Sequence, residues 1–142
     1  MTNQVNPITP VDRYAAAAIV ALLVLTSVML LAMFSRTEPH PPLEVGPFAM
    51  CPFLAASLAV GAVAYGLVLH GTRYAVAAAL LFALTALVSY GPQKYADPAF
   101  ARIWPAVLIA QASLLVIFGW GVYRLFRRTK KTLDRALDSA GH

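Results

Sequence analysis

The chain has 142 residues, of which 60% are hydrophobic and only 12% are charged, and its mean hydropathy is +0.70. This composition excludes an ordinary water-soluble domain, because too few polar side chains are available to cover the surface. The formal net charge is +5. All basic residues lie outside the longest apolar runs, so this charge indicates membrane topology and not nucleic-acid binding.

Four apolar runs are long enough to cross a membrane as helices. A helix of about 20 apolar residues spans the roughly 30 Å hydrocarbon core of a bilayer. The runs cover 15–34, about 48–69, 74–90 and 103–123. No strand-like alternation of polar and apolar residues competes with them. The sequence therefore predicts an all-α integral membrane protein with four transmembrane helices.

The predicted transmembrane domain occupies 15–126 and lies between two tails. The first tail, 1–14, is predicted to be cytoplasmic. The second tail, 127–142, is basic and places apolar residues on one helical face. This pattern predicts a helix that continues beyond the bilayer and contacts anionic lipid headgroups at the membrane surface.

Basic residues predict the orientation of the helices. One side of the membrane would hold eight of them and the other side three, and cytoplasmic segments carry the excess of Lys and Arg. The eight are Arg13, Arg73, Arg124, Arg127, Arg128, Lys130, Lys131 and Arg135, against Arg36, Lys94 and Arg102. Both termini are therefore predicted to be cytoplasmic. The abundance of Ala and the preference for Arg over Lys suggest a bacterial source, and hence the cytoplasmic (inner) membrane.

Two connections carry recognisable turn and capping residues. In the motif "HGTR", Gly71 is suited to end helix two in a left-handed conformation and Thr72 to cap helix three. This short link predicts that helices two and three form a tight antiparallel hairpin. Before helix four, Asp97 and Pro98 form a good helix start, and Pro105 predicts a kink shortly afterwards.

Small residues recur every four positions in three of the predicted helices. Helix two has Ser57 with Gly61 and Ala62 with Gly66, helix three has Ala75, Ala79 and Ala83, and helix four has Ala106 with Ala110. Small side chains at this spacing allow helix backbones to approach closely in lipid. The pattern predicts close helix packing.

The acidic and histidine residues argue against catalysis. All six carboxylates lie outside the four apolar runs, including Asp12 in the first tail. Ionisable residues within spans are the usual markers of proton relays and substrate sites. His40 and His70 are predicted on opposite sides of the membrane, which excludes a bis-histidine haem within this chain. We therefore predict that the protein is not an enzyme.

One group of residues resembles the donor set of a soft metal. Met29, Met33, His40, Met50 and Cys51 all fall near the outer ends of helices one and two. Thioethers and thiolates suit Cu(I), although Met and Cys are also adaptable fillers of apolar cores. Their spacing matches no dense metal-binding motif, so we predict no bound metal and keep copper as an alternative.

The outward segment before helix four is rich in residues that favour protein interfaces. Aromatic and arginine side chains are enriched where proteins dock, and this segment holds Tyr95, Phe100, Arg102 and Trp104. We predict that these four residues contact a neighbouring subunit. Gln111 is the most polar side chain in any span and is predicted to form a hydrogen bond between helices.

The leading functional prediction is a non-catalytic accessory or assembly subunit of a larger membrane complex. One alternative is an oligomeric small-solute transporter or channel, for which Thr85 and Ser89 give the only hint of a polar stripe. A second alternative is a membrane protein that binds copper, or a quinone or pigment beside Gln111 and Tyr65. The predicted partners are other membrane protein subunits and anionic lipid.

Overall fold

The computed structural model describes residues 8–37 and 49–140, which are mostly helical and include no strand. The helices are α1 (Pro10–Ser35), α2 (Cys51–Leu69), α3 (Ala75–Tyr90) and α4 (Phe100–Ala140), with a short 3₁₀ helix at Pro92–Ala96 before α4. Four helical segments are long and apolar enough to cross a membrane. The prediction of an all-helical protein with four membrane-spanning helices is confirmed at this level.

The four long helices form a closed ring in which each packs against two neighbours. α1 contacts α2 and α4, and α3 contacts the same two helices from the other side. Their shared interior is apolar and tightly filled. The largest fully buried side chains are Phe82, Ile19, Leu22, Leu54, Ile117, Val68 and Val107. All four helices contribute to this core, so none is a peripheral addition.

Small residues permit the close approach of α2 and α3. Ala75, Ala79 and Ala83 are all buried on α3, at the spacing that lets helices approach in lipid. On α2, a Cβ atom at Gly61 would lie 2.7 Å from the ring of Phe82 and from a methyl group of Leu23. Ala62, from the second small pair of α2, is exposed instead. Only part of the small-residue pattern therefore serves packing within the chain.

α1 begins at Pro10, five residues before the apolar run that predicted it. Thr9 and Asp12 form a capping box, in which the Asp12 amide donates to the Thr9 hydroxyl and the Thr9 amide donates to the Asp12 carboxylate. Pro10 occupies the first helical turn, where its fixed φ suits the helix. The local sequence Thr-Pro-Val-Asp thus extends α1 into the predicted N-terminal tail.

The link between α2 and α3 differs in one detail from the prediction. Gly71 has φ 61°, the left-handed conformation expected at a helix end. The Thr72 hydroxyl, however, donates to the carbonyl of Leu67 at 3.3 Å, and α3 has no side-chain cap. The predicted capping of α3 by Thr72 is therefore wrong, because both the hydroxyl and the backbone amide of Thr72 donate to the Leu67 carbonyl at the end of α2 instead.

α4 begins at Phe100, two residues after the predicted start at Pro98. The Asp97 carboxylate accepts from the Ala99 amide at 2.9 Å, and the Asp97 carbonyl accepts from the Phe100 amide at 2.9 Å. α4 then contains 41 residues and carries Pro105 within it. At about 1.5 Å per residue, such a helix is about twice as long as the hydrocarbon core is thick, and it continues through most of the predicted basic tail.

Candidate functional site

An aromatic patch lies on the segment that leads into α4, and we define it as Tyr95, Phe100 and Trp104. The rings of Tyr95 and Phe100 are 5.1 Å apart and tilted by 53°, within the range of favourable aromatic pairs. Tyr95 is 51% exposed and Trp104 is 50% exposed. Of the four residues predicted to contact a partner, Tyr95, Arg102 and Trp104 are therefore exposed, and Phe100 is half-buried.

Hydrogen bonds to Gln111 anchor the aromatic patch to the bundle. The Tyr95 hydroxyl donates to the side-chain oxygen of Gln111 at 2.7 Å. The side-chain nitrogen of Gln111 donates to the carbonyl of Tyr90 at 3.4 Å. Tyr90 ends α3, Tyr95 belongs to the 3₁₀ helix and Gln111 belongs to α4. The Gln111 amide therefore links these three elements.

Further polar contacts fix the segment between α3 and α4. The Gln93 side chain donates to the carbonyls of Leu87 and Val88, at 3.2 and 2.7 Å, and so satisfies the end of α3. Lys94 and Asp97 form an ion pair at 2.7 Å. The hydrogen bond from Lys94 keeps the pKa of Asp97 below its usual value. The aromatic patch is thus exposed but held by an ordered backbone.

A buried carboxylate lies at the opposite end of α4. Asp12 is only 2% exposed. One of its oxygens accepts from the Trp120 indole at 2.8 Å and from Arg124 Nε at 3.0 Å, and a second Arg124 nitrogen also contacts it. The other oxygen accepts from the Thr9 hydroxyl at 2.7 Å. We call Thr9, Asp12, Trp120 and Arg124 the Asp12 cluster.

Asp12 lies outside the apolar run 15–34, as predicted, but within the first turn of the helix that forms the first candidate span. The capping box brings Asp12 into the first turn of α1, and burial against α4 follows. Two signals were present in the sequence: the Thr-x-x-Asp spacing of a capping box, and Trp120 with Arg124 four residues apart on one helix face. Both carboxylate oxygens already accept hydrogen bonds, so the arrangement favours a structural link between α1 and α4 over proton transfer.

The Asp12 cluster belongs to a basic end of the bundle. A guanidinium nitrogen of Arg128 donates to the Arg73 carbonyl at 3.1 Å, which joins α4 to the link between α2 and α3. The start of α1, this link and the second half of α4 therefore meet at one end. The aromatic patch lies at the other end, where α4 begins.

No protein-family model, curated protein or solved structure matches this chain. Its function is therefore inferred from the geometry of its own residues.

The candidate copper ligands differ in how deeply they are buried. Met33 is buried, and Met29 packs against the core. Cys51 is a half-buried free thiol at the start of α2, directly after Met50. His40 lies outside the described residues. Within the part that the structure describes, no group of three or more His, Cys, Asp or Glu is placed to hold a metal. The absence of bound metal stays a prediction.

The polar residues considered for transport or for a quinone or pigment have intramolecular roles. The Thr85 hydroxyl donates to the Phe82 carbonyl of its own helix at 2.8 Å, and Ser89 is buried inside the bundle. Tyr65 is partly buried and packs against the core. Ser89 therefore does not face a neighbouring copy, as a pore between protomers would require.

Proposed function

We propose that the protein is a non-catalytic accessory or assembly subunit of a larger membrane protein complex. The aromatic patch is the observation that carries this proposal, because Tyr95 and Trp104 are exposed and Phe100 is half-buried, while Gln111 and the Lys94–Asp97 pair hold their backbone in place. Side chains that are already ordered lose little conformational entropy when a partner binds. Aromatic residues of this kind dominate the binding energy of many interfaces.

The uneven burial of the helices supports the same proposal. In the most apolar stretches of α1 and α2, 28% of residues are buried within the chain, against 50% in the candidate span that contains α3. Large exposed side chains follow the outer faces of these helices, among them Val24, Leu31 and Val63. The outer side of α1 and α2 thus offers apolar surface to lipid or to other helices, which associate in membranes through close packing.

Replacing both Tyr95 and Phe100 by Ala should release a bound subunit. Loss of two interface aromatics that each contribute more than about 1 kcal/mol lowers affinity by at least about tenfold. The measurement is photo-crosslinking in intact cells from an unnatural side chain at position 104, followed by quantification of the adduct in the parent and the double variant.

Tyr74→Ala is the matched control, since Tyr74 is 57% exposed and lies next to Arg73 at the basic end. This variant should leave the adduct unchanged. Tyr95→Phe isolates the hydrogen bond to Gln111, because it keeps the ring and removes only the hydroxyl. An unaltered adduct in the Tyr95/Phe100 double variant, with normal insertion, would show that these aromatics only anchor the helix in the bilayer.

We also propose that both termini face the cytoplasm, in the cytoplasmic membrane of a bacterium. The excess of basic residues at one end of the bundle supports this orientation. In the same arrangement, α2 and α3 form an antiparallel hairpin, and α4 bends near Pro105 because proline removes one backbone donor and clashes with the preceding turn. The basic tail would then lie against anionic headgroups.

Cysteine labelling tests the orientation directly. In a Cys51→Ser background, single cysteines at positions 42 and 94 should react with a membrane-impermeant maleimide added outside the cell. A cysteine at position 130 should react only after the membrane is permeabilised. Labelling of position 94 from the inner side alone would reverse the proposed topology.

A further inference from the structure

An apolar groove runs between α1 and α4 on the outer surface of the bundle. It is shallow and open to the outside, with a volume of about 370 Å³. It is lined by Tyr14, Ala17, Ala18 and Ala21 of α1 and by Ile109, Ala112, Ser113 and Val116 of α4. The Ser113 hydroxyl donates to the Ile109 carbonyl at 2.8 Å. The groove therefore presents methyl and methylene groups and has the character of a site for a hydrocarbon chain.

Helix periodicity places basic residues beyond one end of this groove. Arg13 precedes Ala17 by four residues and therefore lies on the same face of α1. On α4, Tyr123 and Arg127 follow Val116 by seven and eleven residues, which corresponds to two and three turns on the same face. Arg13 and Arg127 thus lie on the groove faces of their helices, on the side where α1 begins.

Arg127 is held against α4 at the basic end of the bundle, about three helical turns beyond the groove residue Val116. Its guanidinium carbon lies 5.5 Å from the centre of the Tyr123 ring, in a cation–π contact. Within residues 8–37 and 49–140, no carboxylate forms an ion pair with Arg13 or Arg127. Two positive charges and the exposed rings of Tyr14 and Tyr123 therefore lie toward the basic end of the bundle, on the helix faces that form the groove.

We propose that this groove binds one anionic phospholipid, with an acyl chain between α1 and α4 and its phosphate beside Arg13 and Arg127. Charge complementarity selects this occupant. A second copy packed symmetrically through the same groove would bring the arginines of both copies together, whereas a phosphodiester neutralises them. Basic pockets between membrane helices bind anionic headgroups in this way, and tyrosines favour the headgroup level. The proposal does not depend on a role in a complex.

Native mass spectrometry of the full-length protein in mixed micelles tests the proposal, with phosphatidylglycerol and phosphatidylcholine as competing lipids. The protein should retain one phosphatidylglycerol in preference to phosphatidylcholine. Replacing both Arg13 and Arg127 by Gln should reduce this preference by about 25-fold, since each basic residue near an anionic headgroup contributes about a fivefold effect. Ala112→Phe, which fills the groove, should reduce retention of both lipids at least threefold.

Matched variants distinguish the groove from general surface effects. Arg73→Gln removes a charge from the same end outside the groove, and Ala62→Phe adds a ring to an exposed position of α2. Both should retain the lipid as the parent does, and equal losses in these controls would overturn the proposal. If Ala112→Phe fails to fold, Ala17→Leu replaces it.

Two further outcomes would also overturn the proposal. Retention of phosphatidylglycerol by the Ala112→Phe variant at the level of the parent would show that the arginines bind the headgroup without an acyl chain in the groove. The second outcome is a parent protein that shows a dimer mass and no lipid adduct, with the dimer lost in Ala112→Phe. This result would assign the groove to a second copy of this chain.

Discussion

Replacement of Asp12 by Ala should lower the free energy of unfolding by about 2–4 kcal/mol. The change removes the acceptor of the Trp120 indole and of Arg124, and breaking a buried ion pair by removing one partner costs about 3–5 kcal/mol. Loss of the capping box adds about 1 kcal/mol. The Arg124 side chain is 31% exposed, so it can turn toward water and recover part of the loss. Denaturation in mixed detergent micelles, followed by circular dichroism, measures the effect.

A double-mutant cycle separates the ion pair from the loss of the cap. Asp12→Ala and Arg124→Ala together should cost clearly less than the sum of the two single changes, because each single change leaves a charge without its partner. Asp134→Ala is the control, since this exposed aspartate lies on the distal part of α4 and should change stability by less than about 0.5 kcal/mol. Simple additivity of Asp12 and Arg124 would contradict a direct coupling.

Replacement of Gly61 by Ala should destabilise the bundle by about 1–3 kcal/mol, the usual cost of overpacking a filled core. The added Cβ would lie 2.7 Å from the Phe82 ring and from a Leu23 methyl group. Phe82 is fully buried and cannot move without displacing its neighbours. The same detergent denaturation measures the loss.

Gly66→Ala and Gly119→Ala are matched controls on α2 and α4. No atom outside the local helix lies within 4 Å of a Cβ atom at either glycine. Alanine is the better helix former by about 1 kcal/mol, so both variants should be neutral or slightly stabilised. If Gly61→Ala behaves as they do, α2 and α3 are not packed as closely at this level as the structure indicates.

The helices could be predicted from the sequence because the signal is local. A run of about 20 apolar residues is sufficient to indicate a span, and the capping residues around Asp97 lie beside the helix that they start. The start of α1 was missed because the apolar run begins at Ala15, although Thr9 and Asp12 carry a capping signal of their own. At Thr72 a capping signal was present but was assigned to the wrong helix, because a hydroxyl between two helices can form a hydrogen bond with either of them.

The candidate sites were less predictable because they depend on residues that are distant in the sequence. Gln111 was expected to form a hydrogen bond between helices, but its partners Tyr95 and Tyr90 follow only from the packing of α3 against α4. Asp12 and Arg124 are separated by 112 residues. The periodicity of one helix shows which of its residues share a face, but it does not show which face of a second helix they contact.

The separation of Asp12 from Arg124 has a consequence for biogenesis. Ribosomes add about 5–20 residues per second, so at least several seconds pass between the synthesis of Asp12 and that of Arg124, which lies 112 residues later. During this interval the carboxylate has no cationic partner from α4 and depends on water at the membrane surface. The ring of helices can close only when the last span is inserted. A nascent chain that ends before Trp120 should therefore hold α1 loosely, because the Asp12 carboxylate then lacks both of its donors from α4.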